Sequence, residues 1–564
     1  MPEKILRRVA ALTILIAIAA AHAAVPAARA QQQSAAQTVD TYAITNARIH
    51  TVSGPVIERG TIVIRDGLIS AVGIGTVAPV DARVIDGAGL TIYPGLIDSN
   101  TSLGIPATPA PTRGGGGAAG AQTPAISSPN SAQPAGLQPE ILAIDFIRPG
   151  GDQIEAARNA GITTALSAPR EGIFIGQSAL INLVGDSPQA MIVRSPVALH
   201  VGFTPLRTGG YPASLLGVFS ALRQMLLDAG RLREANQIYE RNPRGLRRPS
   251  QDKSLIALFP ALAREMPVVM YADTAREIRR ALDLAQEFNL SAIIAGGLES
   301  WKVADRLREM NVPVLLSLNF PKRTTAEVPE ADPDPLRVMR QRVEAPKTAA
   351  RLNAARVRFA FQSGSMTSMA DFLANANRSI ENGLARDEAL RAMTIRPAEI
   401  FGVANRLGTI EVGKIANLTI TRGDIFDKTS RIAHVFIDGR PIDLKPAAAT
   451  PAAAGAAAAG TGAMASGAWT IKIKSEEGRE ETATLTLQQE GTRLTGSLQG
   501  DLGAAQIAGG SVDASGNMRF TAPVTFGGQT TEAVFTGKIT ANQMSGTVQT
   551  VGRSPATFTG TKPQ

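Results

Sequence analysis

Cysteine is absent from all 564 residues, which removes thiol nucleophiles, Cys-ligated zinc, iron–sulfur clusters and disulfides together. Histidine is scarce: His22, His50, His200 and His434 are the 4 in the chain. Aromatic residues make up only 4% against 44% apolar residues in all, so Ala, Val, Ile and Leu must supply most of the packing. A chain of this length without cross-links holds together by core burial, spread over more than one domain. The formal net charge is +9, and basic residues gather in "RNPRGLRRP" (Arg241, Arg244, Arg247, Arg248). Neither an aromatic-rich sheet nor a recognition motif accompanies them. The reading is therefore a solvated, Pro-broken loop and no nucleic-acid partner.

The first 30 residues have the three parts of a secretory signal: Lys4, Arg7 and Arg8, then an apolar run, then Ala28-Arg29-Ala30 before Gln31. The run is too short and Ala-rich to span a bilayer comfortably. Export to the periplasm or the medium is expected, with no membrane span in the mature chain.

Beyond it, residues 40–90 read as short alternating strands with a turn at Arg65-Asp66-Gly67, and a second strand-rich stretch lies at 404–445. Neither is long enough to stand alone, so the two are expected to form one composite β-sandwich. Between them, residues 91–403 alternate apolar strands ("TIYPGLID", "GITTALSAP", "ALINLVG", "PVALHVGF", "PVVMYAD", "SAIIAGG", "VPVLLSL", "RVRFAFQSG") with amphipathic helices such as 275–289 and 299–310. That pattern predicts an α/β fold, a (β/α)₈ TIM-like barrel whose chemistry sits at the carboxyl ends of the strands. A Gly/Pro/Ala-rich insertion at 106–136 follows the first barrel strand and is expected as a mobile loop over that face. An Ala/Gly/Pro linker (446–467) leads to residues 468–564, an all-β domain expected as a small barrel or a sandwich.

The stretches "NARIHTVSG", "GTIVIRDGLISAVG", "VIDGAGLTIYPGLID", "AGITTAL", "MTIRPAEIFGVANRLGTIEVGKIANL" and "VFIDGRPI" together resemble the amidohydrolase superfamily, in its imidazolonepropionase-like branch. The resemblance covers residues 42–443. It implies a hydrolase of carbon–nitrogen bonds, on non-peptide or dipeptide-like substrates, using one or two divalent metal ions that activate a water. It also implies a ligand set: His-Xaa-His after the first strand, a His after each of two middle strands, and an Asp after the last. Here the first pair falls on Asn100 and Ser102. The middle positions fall on Tyr271 and on or beside Gly296, and the last on Gln362 or Ser363. Asn417 replaces the Asp usual in its motif.

With His22 in the signal and His50 and His434 in sandwich strands, only His200 remains for the barrel. One imidazole cannot build a site that needs two to four, so no metal cofactor is expected. Asp98 and His200 are the candidates for catalysis. Asn100, Ser102, Tyr271, Asp273 and Ser363 are the candidates for binding a substrate at the barrel mouth. Two functions compete: an exported hydrolase with a degenerate, metal-free site, and a non-catalytic pseudoenzyme. The latter would bind a small polar molecule, form a homo-oligomer, or pair with an active amidohydrolase.

Overall fold

The structure is a computed structural model that describes residues 41–106, 131, 133–206, 211–324, 334–364, 366–444, 465–474, 480–500, 503–513, 516–526, 529–550 and 556–562. The expected export segment, most of the 106–136 insertion and most of the expected linker lie outside the described residues. The chain divides into two compact units, Met1–Ala447 and Ala448–Gln564.

In the first unit the strands from the two ends of the sequence share one sheet. These are β1 (Tyr42–Ile49), β2 (Ile57–Arg65), β3 (Leu68–Gly73), β4 (Arg83–Asp86) and β5 (Leu90–Pro94) from the amino-terminal stretch. The sheet order continues from β5 through Leu418–Arg422 and Arg431–Ile437 to Arg440–Ile442. Leu418–Arg422 lies antiparallel to β5, with Ile420 opposite Ile92. The strands from the two stretches are thus hydrogen-bonded into one eight-stranded sheet. Its buried side chains, among them Ile44, Ile62, Ile92, Leu418 and Phe436, form a core of their own. Asp66 and Gly67 both take positive φ (54° and 78°), the conformation a two-residue hairpin of this hand requires. Asp438-Gly439 repeats the device, and a β-carbon on Gly439 would meet the Gly67 Cα at 2.7 Å, so the two turns pack against each other.

Eight strand positions then circle a second core. They are β6 (Leu96–Thr101), β7 (Ile162–Ser167), the run β8 (Phe174–Gln177) and β9 (Ala179–Asn182) broken only at Ser178, and, past the edge strand β10 (Ile192–Arg194), β11 (Leu199–Val201). Next come β12 (Val268–Ala272), β13 (Ala292–Gly296), β14 (Val314–Ser317) and β15 (Phe359–Gln362). The third position corrects the (β/α)₈ expectation: β9 is antiparallel to β7, and β8 is antiparallel to β11. The reason is connection length. Six residues separate β7 from β8, whereas a parallel crossover needs about a dozen or more. The remaining strands run parallel and are joined by helices, of which Ala275–Glu287 opens on a capping box between Thr274 and Glu277. The expected helix at 299–310 is a 3₁₀ turn, Ser300–Val303, followed by Ala304–Glu309.

Period-two alternation divides each barrel strand between two cores. In β12, Val268, Met270 and Ala272 pack outward with the helices, while Val269 and Tyr271 face the inner core with Ile97, Leu166, Ile293 and Leu315. Sheet and barrel meet at a buried polar junction. Asn417 donates to Thr164 Oγ1 (3.0 Å) and Asn182 Oδ1 (2.8 Å), and Asn182 donates to Asp438 (2.7 Å). Among the described residues no helix is long and apolar enough to cross a membrane.

The second unit is a closed antiparallel barrel. Eight strands complete the ring because Glu480–Glu490 pairs with both Gly467–Lys474 and Arg493–Gly500; a ninth, Gly503–Gln506, lies beside the last of these. Trp469, Ile471, Leu485, Phe520, Phe535 and Phe558 are buried inside, with Phe520 and Phe535 stacked at 4.6 Å. Thr470, Lys472, Thr482, Thr484 and Thr486 alternate with them on the exposed side.

Candidate functional site at the carboxyl ends of the barrel strands

At the carboxyl ends of the inward-facing positions, four strands contribute to one hydrogen-bonded chain. Tyr271 Oη donates to Asn100 Oδ1 at 3.0 Å, which leaves the phenol oxygen to accept from His200 Nδ1, also at 3.0 Å. Asn100 Nδ2 donates onward to Gln362 Oε1 (2.6 Å), and Gln362 Nε2 to the Leu315 carbonyl (2.6 Å). Every donor points the same way, from β11 through β12 and β6 to β15. This order fixes the imidazole proton on Nδ1 and the lone pair on Nε2. Nε2 is buried and has no hydrogen-bond partner.

Asp98 belongs to a separate clamp. Its carboxylate accepts from the Ser363 hydroxyl, from the Ser363 amide at 2.9 Å and from the Asn100 amide at 3.3 Å. With the Ser99 hydroxyl on the Phe361 carbonyl (2.7 Å) and the Gly364 amide on the Asn100 carbonyl (3.1 Å), these bonds bring β15 beside β6 and close the barrel.

Burial sets the electrostatics. It pushes the His200 imidazole down to about 3, so the ring is neutral at physiological pH. It pushes the Tyr271 phenol up to about 12, against the bond to Asn100 and the charge of Arg170. For Asp98 burial again dominates and raises the carboxyl to about 6, although the donors from Ser363 and Asn100 pull it down.

The structure thus joins Asn100, Tyr271 and His200 in one chain and sets Asp98 with Ser363 in another. Ser102 is buried past the end of β6, where its carbonyl accepts from the Ile105 amide at 3.0 Å. Asp273 stands apart, at the end of β12. Its carboxylate fills the space over Gly296, where a β-carbon would meet Oδ1 at 2.5 Å. Gly296 itself has φ +99°, which side chains rarely adopt, and the residue that pairs with Tyr271 on β13 is Ala295. Gln362, absent from the expected binding residues, is the one that engages Asn100. The alternation of "FAFQ" carries the signal: Phe359 and Phe361 pack outward, and Ala360 lies in the inner core.

No group of three or more His, Asp or Glu side chains that could hold a metal ion stands together among the described residues. The donors here are carboxamides, a phenol and a hydroxyl, already bonded to one another. They do not fit the divalent transition ion that the resemblance implies.

Residues 331–442 match the model of the amidohydrolase family. A solved amidohydrolase from Thermotoga maritima MSB8 is similar with a TM-score of 0.59 and 22% identity, over 72% of this chain and 100% of that one. A prolidase complexed with N-methylphosphonate-L-proline aligns over 72% of this chain and 100% of its own, with 19% identity and a TM-score of 0.45. By fold the chain is similar to amidohydrolases, and residues 331–442 carry that family's sequence pattern.

Proposed function

We propose that this chain is an exported, metal-independent protein of amidohydrolase-like fold that binds a small polar organic molecule at its barrel mouth without turning it over. The observation that supports the reading is the hydrogen-bonded chain from His200 to Gln362, three of whose members, Tyr271, Asn100 and Gln362, stand where the resemblance would put metal ligands. A neutral, directionally ordered set of donors and acceptors suits an uncharged polar ligand better than a metal-activated water. Its free end is the Nε2 lone pair of His200. That acceptor calls for a donor on the ligand, such as an amide or lactam N–H. Burying such a network without completing it is costly, so a ligand donor at Nε2 would add stability.

One observation favours a second reading, metal-independent hydrolysis of a carbon–nitrogen bond. The same Nε2 keeps a lone pair free to accept a proton, a weakly basic one because burial lowers the imidazole to about 3, while Asp98 is already bonded to Ser363. A thermal-shift screen of amides, lactams and dipeptides, with elemental analysis of the purified chain, separates the readings. The expected result is hits that stabilise the wild type, fail on Asn100→Ala and Tyr271→Ala, and need no metal. Stoichiometric bound zinc, iron, nickel or manganese would overturn the proposal, and so would hits unaffected by both substitutions. Metal-free turnover lost in His200→Ala would establish the second reading instead.

A further inference from the structure

The longest helix among the described residues, Leu215–Arg241, runs 27 residues, or about 40 Å at the usual rise per residue. Val218, Leu222, Met225, Leu226 and Leu232 bury one side of it, and beyond Leu232 no residue of the helix is buried. The last turn and the segment after it therefore stand in solvent: residues 240–248 are all exposed. That segment is nonetheless ordered by its own bonds. Leu246 N–H donates to the Pro243 carbonyl at 3.2 Å and Arg244 N–H to Asn242 Oδ1 at 3.3 Å. Gly245 supplies the positive φ of 73° that such a turn needs at its third position.

The turn presents an unusual mixture. Arg241, Arg244, Arg247 and Arg248 lie there, and between residues 238 and 250 the only acid is Glu240. None of the four arginines forms an ion pair among the described residues. Among them Leu246 is 47% exposed, and Ile238, one turn back and three residues from Arg241, is 57% exposed. Asp252, the next acid, is occupied in capping the following helix through the Ser254 and Leu255 amides.

We infer that this tip docks on an anionic lipid surface. Each arginine near such a surface gains electrostatic energy that salt screens, and Leu246 and Ile238 offer the apolar groups that a headgroup boundary accepts. Nucleic acid would be served by the charge but gains nothing from two exposed aliphatic side chains, and Tyr239 is the sole aromatic residue between 231 and 252, too few rings to stack successive bases. Pro243 and Pro249 hold the turn before binding, which limits the ordering cost.

The test is co-sedimentation of the full chain with phosphatidylcholine vesicles, with and without phosphatidylglycerol, at low and high salt. The variant carries Arg241, Arg244, Arg247 and Arg248 all changed to Gln. These side chains are exposed, so the thermal midpoint should not move and the comparison isolates the tip from the rest of the chain. The expected result is binding that requires phosphatidylglycerol, weakens with salt and falls at least about fivefold in the variant, with a smaller loss in Leu246→Ser. Equal binding by chain and variant overturns the proposal. So does equal binding to both vesicle types, or capture by duplex DNA with none by the anionic vesicles.

Discussion

Asp98 is a carboxylate with three donors and no cation beside it, and desolvation outweighs the donors. Because its folded value, about 6, lies above the ordinary 3.8, its protonated form is the better folded one. The stability it contributes is whole below about pH 4 and is lost as pH rises through about 6; the full difference corresponds to roughly 3 kcal/mol. Asp98→Asn removes the titration. Urea unfolding of both proteins from pH 4 to pH 7 should therefore show the difference in stability moving in favour of the variant, by up to roughly 3 kcal/mol. A difference that stays flat across that window would rule out the account. Residue by residue, the polar ends of the barrel strands are legible from "DSN" and "MYAD", since strand alternation puts Asn100 and Tyr271 on definite faces. Their partners are not. Asn100 finds Gln362 across 262 residues, and only closure of the first strand on the last decides that meeting.

At the scale of elements, the sheet shows how a local pattern depends on distant sequence. β5 is buried along its whole length, and Leu418–Arg422 covers one of its edges. A chain ending near Ile400 would leave Leu90 and Ile92 on an unpaired edge, a site for association between chains. A chain ending at Ala447 keeps every strand of the sheet. Expressed side by side, the longer fragment should unfold cooperatively as a monodisperse species and the shorter should aggregate; the reverse outcome would contradict the pairing. The antiparallel third strand teaches a related lesson. "ALINLVG" reads as a strand from its apolar run, yet its direction follows from the six-residue connection between β7 and β8, the run it continues, which apolar pattern alone does not weigh.

For the whole molecule, the two compact units have separate cores. The carboxyl-terminal barrel closes on itself, so no strand edge of its ring depends on the first unit. Residues 448–564 expressed alone should therefore give a single cooperative thermal transition, and the full chain should show that same transition beside another. Loss of structure in the isolated piece, detected by far-ultraviolet circular dichroism, would show that the ring needs support from outside.

The sequence by itself determined the element types, because alternation and helical periodicity are local properties of which side of an element is apolar. By census it holds no cysteine and four histidines, of which His200 alone lies on a described barrel strand. It also determined that the barrel strands end in amides, hydroxyls and a phenol. Only the tertiary structure decided what those groups do. Hydrogen-bond partners at a barrel mouth come from strands hundreds of residues apart, and their choice depends on ring closure, on the register of β6 against β7 and β15, and on which lone pairs burial leaves unmatched. The orphaned Nε2 of His200 and the Asp273 carboxylate over Gly296 are set by those long-range placements, for which no short stretch of sequence holds the information.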